Sequence, residues 1–174
     1  MSEEVFRAIE ERWSCRAFES TPLEQETIKR LLGAMLRAPS AGNAQPWHFY
    51  VVTNESTRKN LSEAAYGQQF VRQAPVVFVV CVVLSKAQAA YGQRGSSLYC
   101  LQDTAAAVEN LLLAAESMGL GSCWVGAFDE SRAGKVLGLP SHRRPVAMVP
   151  VGKPAAPKTR TRRESEEKTV TWVR

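Results

Sequence analysis

The apolar residues of the chain follow two spacings, one typical of helices and one typical of strands. Five segments repeat apolar side chains every three or four positions. In the first of them Val5, Phe6, Ile9 and Trp13 share one face, and two glutamates precede them where a helix dipole favours anions. The predicted helices are residues 3–13, a segment that opens at 21–24 and stops before Pro39, and residues 54–66, 97–118 and 129–137.

Strand patterns occupy the segments between these helices. Residues 75–84 are a nearly continuous run of Val, Phe and Cys, which predicts a strand buried on both faces. Val170 and Trp172 alternate with polar residues, which predicts an ordered strand at the C-terminus. The predicted strands are residues 47–53, 75–84, 121–128, 144–151 and 169–173.

Residues at the helix ends refine this picture. Thr21 and Glu24 have the spacing of a capping box, with Pro22 at the first helical position. The apolar residues expected to face inward from this helix are Ile28, Leu31, Leu32, Met35 and Leu36. The helix at 97–118 is apolar over a wide arc, which is typical of a buried helix or of a dimer interface, and Gly119 is its expected stop. Residues 85–96 have no clear period and predict an irregular or short helical excursion.

A polar loop at residues 38–47 separates the second helix from the first strand. Two prolines and Gly42 fix its backbone, so Ser40, Asn43 and Gln45 would present hydroxyl and amide groups from a rigid frame. This composition indicates a recognition loop, although such side chains also commonly satisfy only their own backbone.

Two further segments suit a phosphorylated, flat ligand. Arg12, Ser14 and Arg16 place two guanidinium groups and a hydroxyl within five residues, which matches the oxygens of a phosphate, although arginines at a helix end often face solvent. Residues 121–128 combine Gly and Ala with a strand core, so a flat ring could approach the backbone closely, or the strand could simply pack on the long helix.

Composition and charge exclude several classes of protein. A chain of 174 residues fits one domain, 1–174, and a net charge of +5 suits an anionic small ligand as well as a polyanion. The four cysteines form no C-x-x-C pair or His cluster, which argues against a metal site and predicts free buried thiols. The N-terminus lacks the pattern of a signal peptide, and the longest apolar run is about half of a membrane span of roughly 20 residues. We therefore expect a soluble, cytoplasmic protein without a membrane partner.

The order of four motifs resembles the FMN-dependent nitroreductase family. These motifs are R-x-S-x-R at 12–16, A-P-S-A-x-N-x-Q-P-W at 38–47, G-L-G-S-C-W-V-G-A-F at 119–128 and V-G-K-P at 151–154. The resemblance implies an α+β fold with a mixed sheet flanked by helices, in an intertwined homodimer that exchanges a C-terminal strand. The arm at about 153–174 would reach the partner subunit, and its basic residues would then serve the flavin phosphate rather than a nucleic acid.

The resemblance also assigns cofactor-binding residues. The first motif and the loop would reach a given flavin from different subunits, and the segment before the buried strand would supply Gln69, with Gln68 as its rival, to the flavin ring. The backbone at 124–126 would lie over the flavin. The assigned residues are Arg12, Trp13, Ser14, Arg16, Pro39, Ser40, Ala41, Asn43, Gln69, Trp124, Val125, Gly126, Arg160 and Arg162.

The implied activity uses FMN as the redox group and NAD(P)H as the electron donor, because no nucleophile, metal cluster or Rossmann motif is visible in the sequence. A flat nitroaromatic or quinone would be the acceptor in a ping-pong cycle, and no side chain is assigned as catalytic. Two alternatives stay open: a flavin-binding protein without turnover, and a dehalogenase or flavin-fragmenting relative on the same fold.

Overall fold

The computed structural model describes residues 2–174, so only Met1 of the predicted 1–174 domain lies outside it. A 3₁₀ turn, Ala41–Asn43, precedes the first strand, and a π-helical turn, Gly95–Tyr99, joins the fifth and sixth helices. The helices of the described residues are α1 Ser2–Glu11, α2 Gln25–Leu36, α3 Glu55–Ala64, α4 Gln69–Gln73, α5 Leu84–Arg94, α6 Cys100–Ser117, α7 Glu130–Leu137 and α8 Glu166–Thr169.

Four strands form one sheet in the order β1-β2-β4-β3. All three pairings are antiparallel, and within residues 2–174 the parallel contact is an isolated bridge between Ser14 and Ser122. Helices cover the sheet, which gives the expected α+β architecture. The strands are β1 Trp47–Val52, β2 Val76–Val83, β3 Gly121–Ser122 and β4 Arg143–Gly152.

The central strand β2 divides two apolar cores. Every residue of β2 is buried, as its continuous apolar run predicts. Phe78 faces the core that α2 and α6 close, together with Leu31 and Leu111. Val79 faces the opposite core, where Leu61 of α3 and residues of α4 and α7 pack. The four cysteines are buried and free, as predicted.

Several predicted details are wrong. The segment 21–24 stays outside the helix: Glu24 is the N-cap of α2 in an extended conformation and makes no side-chain cap bond. Leu36 is 56% exposed, because it lies one position beyond the buried face that Met35 closes. The predicted strand at 121–128 shrinks to the two residues of β3 and an isolated bridge at Val125.

The C-terminal arm lies on the surface of the chain. Beyond Pro154 every residue is exposed. The predicted strand at 169–173 is absent from the single chain: α8 ends at Thr169, and Val170 is extended but pairs with no strand of the described residues. A strand needs a partner, and this chain does not provide one, so the exchange with a second subunit stays a prediction. No helix within residues 2–174 combines the length and the apolar character needed to cross a bilayer.

Candidate functional site

The end of α1 is attached to both the sheet and the long helix α6. The Cys15 amide donates to the Ser122 carbonyl at 2.9 Å, which places Ser14 beside β3. Arg12 Nε lies 3.7 Å from a carboxylate oxygen of Glu109 on α6. The first motif is therefore a bent segment held at two points, with its arginines on the outer side.

This segment and the C-terminal arm enclose a cleft of about 460 Å³, within the roughly 300–1,000 Å³ typical of small-molecule sites. Four guanidinium groups line it against a single carboxylate, so the cleft is strongly cationic. The lining residues are Ile9, Glu10, Arg12, Trp13, Ser14, Arg16, Thr159, Arg160, Thr161 and Arg163. Of the two arm arginines that the resemblance assigns to the cofactor, Arg160 lines this cleft and Arg162 does not, and Arg163 is the second arm arginine that lines it.

The arm keeps this position through contacts with the body of the chain. The Ala155 amide donates to the Ala17 carbonyl at 2.9 Å. Lys158 forms ion pairs with Glu11 at 3.3 Å and with Glu116, and these carboxylates raise the pKa of Lys158. These links bring the arm across the end of α1, so Arg160 faces the first motif of its own chain.

The residues present fit a phosphorylated aromatic cofactor. Arginines suit phosphate because the guanidinium donates in a planar fork. Independently, the indole Nε1 of Trp13 is buried without a hydrogen-bond acceptor among the described residues. Native structures rarely leave such a donor unsatisfied, so Trp13 indicates a ligand with an acceptor oxygen or nitrogen in this cleft.

The segment at 68–70 lies beside the first motif, next to Arg16. The Arg16 guanidinium carbon lies 5.9 Å from the centroid of the Phe70 ring. Gln68 uses its side-chain amide within the fold, donating to the carbonyls of Ala65 at 3.0 Å and Ala127 at 3.1 Å. Gln69 is exposed and donates only to the Gly67 carbonyl, at 3.2 Å. Gln69 is thus the residue with an amide available for a ligand, and Gln68 is a structural tie to the segment at 124–127.

The backbone at 124–126 is paired at one residue and free at its neighbours. Val125 donates to the Met148 carbonyl at 2.8 Å and accepts from the Met148 amide at 3.0 Å. The amides of Trp124 and Gly126 donate to no other described residue. Gly126 is exposed, and the space where a Cβ would stand is empty for 4 Å. A flat ring could therefore approach at Gly126, whereas Val125 has no amide left to offer it.

A buried thiol lies beneath this junction. Burial raises the pKa of Cys123, and the Arg16 charge, a hydrogen bond from Ser14 and the Arg12 charge oppose the rise. These groups surround Cys123 closely enough to act on it, so the first motif and the segment at 124–126 meet at one place. The thiol stays protonated near neutral pH and has no nucleophilic role here.

The polar loop uses most of its side chains on itself. Ser40 Oγ accepts from the Gln45 amide at 3.0 Å, and Asn43 Oδ1 accepts from Gln45 Nε2 at 3.1 Å. Gly42, Asn43 and Gln45 have positive φ angles of 52°, 55° and 48°, a conformation that is strained for the last two. Such strain clusters at binding sites, and these internal hydrogen bonds make the loop rigid. Its polar side chains are less available to bind a ligand than the sequence predicts.

Two residues outside the loop hold it in place, and sequence reasoning missed both. Asp103 of α6 is 7% exposed and accepts from the Ala41 amide at 3.0 Å. Burial raises the pKa of Asp103, and this hydrogen bond lowers it. The Tyr91 hydroxyl contacts Gly42, where a Cβ would collide with it. A lone aspartate on the apolar face of a predicted helix is the signal that could have identified Asp103.

The loop and the first motif touch different sides of α6. The loop binds α6 at Asp103, and Arg12 binds it at Glu109. Six helical residues correspond to a rise of about 9 Å and a rotation of about 120° around the axis. None of the assigned loop residues, Pro39, Ser40, Ala41 and Asn43, lines the arginine cleft. The loop and the arginine cleft therefore occupy separate places on the chain, and their sharing of a flavin between subunits stays a prediction. Within residues 2–174 no group of three or more potential metal ligands comes together.

Known proteins match this chain over most of its length, both in sequence and in structure. Residues 9–71 and 64–153 match the model of the Nitroreductase family. The chain is 33% identical to an NADH dehydrogenase of Thermus thermophilus, with 92% of each chain covered. It is 26% identical to an oxygen-insensitive NADPH nitroreductase of Helicobacter pylori, over 95% of this chain and 94% of that one. The crystal structure of nitroreductase A from Vibrio parahaemolyticus superposes with a TM-score of 0.89 at 26% identity, covering 97% of this chain and 75% of that chain.

Proposed function

Because this chain belongs to the nitroreductase family and is an NAD(P)H-dependent oxidoreductase, we propose that two copies of it bind FMN and reduce flat acceptors such as nitroaromatics or quinones. When bound, FMN would supply the redox chemistry of a ping-pong cycle, with NAD(P)H as the hydride donor to flavin N5 and a flat compound as the acceptor. The observation that carries the proposal is the cationic cleft, which is lined by four arginines and by Trp13, whose indole Nε1 has no acceptor among the described residues.

The arginine cleft is assigned to the phosphate and ribityl end of the cofactor. Arg12, Ser14, Arg16 and Arg160 line this cleft and would donate to the phosphate oxygens, and Trp13 Nε1 would donate to an oxygen near them. A phosphate dianion is offset by several positive charges in this cleft, so binding is expected to weaken as salt is added.

The ring end of the cofactor is assigned to Gln69 and to the free backbone at 124–126. Gln69 offers an amide group to the polar edge of the ring, and the Gly126 amide offers a donor where no side chain obstructs the approach. No titratable side chain is required near the hydride-transfer position. The protein's part is to hold the ring, set its electronics by hydrogen bonds and leave one face open.

The loop at 38–47 of a second copy completes the site in this proposal. The loop and the arginine motif lie about 120° apart around α6 and contribute to no common cleft in one chain. A second copy that brings its loop to the cleft would supply Pro39, Ser40, Ala41 and Asn43, with the rigid backbone facing the ring. The chain is thereby expected to bind one FMN per subunit as a homodimer.

Anaerobic stopped-flow mixing of the purified protein with NADH and with NADPH tests the proposal. Loading with FMN should give a yellow protein whose flavin absorbance bleaches with a nicotinamide and returns on adding a nitroaromatic or quinone. A protein that stays yellow with both nucleotides would be a flavin-binding protein without turnover. A protein that retains no FMN at all would refute the proposal.

A further inference from the structure

The excursion that joins β2 to α6 bends sharply beside the polar loop. Helix α5 is interrupted at Tyr91 (φ −142°, ψ 25°) and Gly92 (φ 55°, ψ −143°), and one π-helical turn leads from Gly95 into α6. The torsions of Gly92 are accessible essentially to glycine alone. Gly95 packs against the Ala87 carbonyl and the Tyr91 Cβ, where a larger residue would collide. The bend is therefore specified by the sequence, and it fixes where Tyr91 stands.

The bend assembles an aromatic and cationic cluster. The rings of Tyr91 and Tyr99 meet edge to face, with centroids 5.4 Å apart and an interplanar angle of 84°. Arg94 Nε donates to the Tyr99 hydroxyl at 2.9 Å, and its guanidinium carbon lies 5.2 Å from the centroid of that ring. The Tyr91 hydroxyl rests on Gly42, so the cluster adjoins the loop.

The charge of this cluster has no internal partner. Arg94 is exposed and forms no ion pair within residues 2–174. Tyr99 holds Nε and so restricts the guanidinium, and the two terminal nitrogens donate no hydrogen bond to any residue within 2–174. Tyr91 is 46% exposed beside them. An aromatic surface next to an oriented, unpaired guanidinium is suited to a flat ring that carries an anionic group.

We propose that Tyr91 and Arg94 bind the anionic substituent and ring of a flat ligand that enters beside the loop, and so favour anionic over neutral ligands. The inference rests on the proposed function, since the loop is taken to border the flavin. The anion could come from two sources: a carboxylate on the acceptor, or a phosphate of the nicotinamide nucleotide. The two half-reactions of a ping-pong cycle separate these sources.

The test uses the FMN-loaded protein and the variants Arg94→Gln and Arg94→Lys, with Arg30→Gln as a control that removes one exposed charge from α2. The oxidative half-reaction is followed with 4-nitrobenzoate and with 4-nitrobenzamide, which differ in charge but little in shape. The reductive half-reaction is followed with NADH and NADPH. Calorimetric titration with benzoate and benzamide adds a reading that does not depend on turnover.

We expect Arg94→Gln to lower the benzoate-to-benzamide preference about tenfold, in rate and in affinity, as for the loss of one charge-assisted hydrogen bond. Arg94→Lys should keep much of the preference, and Arg30→Gln should keep all of it. A change confined to the reductive half-reaction would identify a nucleotide phosphate as the anion: the 2′-phosphate if only NADPH is affected, and the shared diphosphate if NADH is affected as well. Equal behaviour of wild type and Arg94→Gln in every arm would overturn the inference. Absence of flavin reduction in wild type would instead refute the proposed function, while the titration would still decide the anion preference.

Discussion

Trp13 carries the clearest residue-scale sign of a ligand. Its side chain is 8% exposed, and its indole Nε1 has no acceptor among residues 2–174. A buried donor without a partner costs about 1–3 kcal/mol. A ligand that accepts from Nε1 would recover this cost on binding, and the four arginines around the same cleft supply the charge for a phosphate. The affinity of the cleft is therefore expected to depend on one neutral hydrogen bond as well as on charge.

Replacing Trp13 by Phe tests this dependence. Trp13→Phe keeps an aromatic side chain but removes the donor, so we expect the dissociation constant for FMN to rise about tenfold, the effect of losing one buried hydrogen bond. Fluorescence titration of apoprotein with FMN gives the constant. Phe49→Leu is the control, because Phe49 is an aromatic residue that packs against the other core, outside the loop and the cleft. Equal FMN affinity in wild type and Trp13→Phe would rule out the indole as a ligand donor.

Asp103 gives a second residue-scale prediction, this time on stability. Its carboxylate accepts from the Ala41 amide, and nothing else anchors that end of the loop to α6 among the hydrogen bonds of the described residues. Asp103→Ala leaves the amide without its acceptor, so the free energy of unfolding should fall by about 1–2 kcal/mol. Asp103→Asn keeps an acceptor oxygen, so its free energy of unfolding should fall by less. Urea unfolding at fixed protein concentration measures both, and an equal loss in the two variants would contradict the anchoring role.

The same residue predicts a pH dependence with a definite sign. Burial raises the pKa of Asp103 in the folded chain, and the Ala41 amide opposes that rise only in part. The folded state then holds the proton more tightly than the unfolded state does. The contribution of Asp103 to stability should therefore fall as the pH rises from the ordinary aspartate pKa through the raised pKa of the folded chain. Above that pKa the contribution should stay level.

Urea unfolding between pH 4 and pH 7 checks this sign. The stability of Asp103→Asn relative to wild type should increase across the lower part of that range and then level off, because asparagine does not titrate. A wild-type advantage that grows with pH would mean that the pKa of Asp103 is lowered instead.

At the scale of elements, the sequence predicts what a local pattern can specify. β2 follows from its continuous apolar run, and α7 follows from the Asp129 cap and from Gly138, which has the left-handed conformation typical of a helix stop. Helix α4 was missed because its five residues are too short to show a period. The strand predicted at 121–128 failed because Val125 pairs with β4 alone, between neighbours that leave the ladder.

The candidate site likewise combines features that a local sequence pattern predicts with features that depend on tertiary contacts. Arg12, Ser14, Arg16 and Arg160 meet in one cleft, as the resemblance implies. Arg163 rather than Arg162 lines the cleft, because the arm crosses the end of α1 through contacts that no local pattern encodes. The roles of Asp103 and Tyr91 depend in the same way on α5 and α6 reaching the loop. Tertiary contacts of this kind leave no mark in the local pattern of hydrophobic and polar residues.

The contact between the loop and the α5 excursion yields an element-scale prediction. Gly42→Ala imposes a positive φ on a residue with a Cβ and also collides with the Tyr91 hydroxyl. Gly67→Ala imposes a positive φ of 77° in open space, so it carries the backbone cost alone. We expect Gly67→Ala to lower the free energy of unfolding by about 1–2 kcal/mol. Gly42→Ala should lower it distinctly more.

Thermal melts at one protein concentration compare the two glycine variants. The double variant Gly42→Ala with Tyr91→Ala should recover the excess, because removing the ring removes the collision. If Gly42→Ala is no worse than Gly67→Ala, the Tyr91 hydroxyl does not constrain the loop.

The whole molecule leaves matched apolar surfaces uncovered. Helix α1 exposes Val5, Phe6 and Ile9, and the arm exposes Val170 and Trp172. Strand β1 is an edge of the sheet, and a groove of about 470 Å³ beside it is lined by four apolar residues, Leu23, Ile28, Leu32 and Val51, and by Gln25, Lys29 and Thr53. Soluble proteins rarely leave such edges and patches open. We predict that a second copy covers them and that its residues 170–173, of which Val170 is extended, pair along β1.

Removing the apolar anchor of the arm should therefore disrupt both assembly and cofactor binding. We predict that Trp172→Asn weakens the homodimer at least tenfold and lowers FMN content in parallel, since each site needs a loop from the partner. Tyr66→Asn is the matched control, because Tyr66 and Trp172 are both 72% exposed in the single chain. Analytical ultracentrifugation and flavin absorbance measure the two effects. A wild-type protein that sediments as a monomer while retaining FMN would exclude the shared site, and a Trp172→Asn dimer as tight as wild type would place the interface elsewhere.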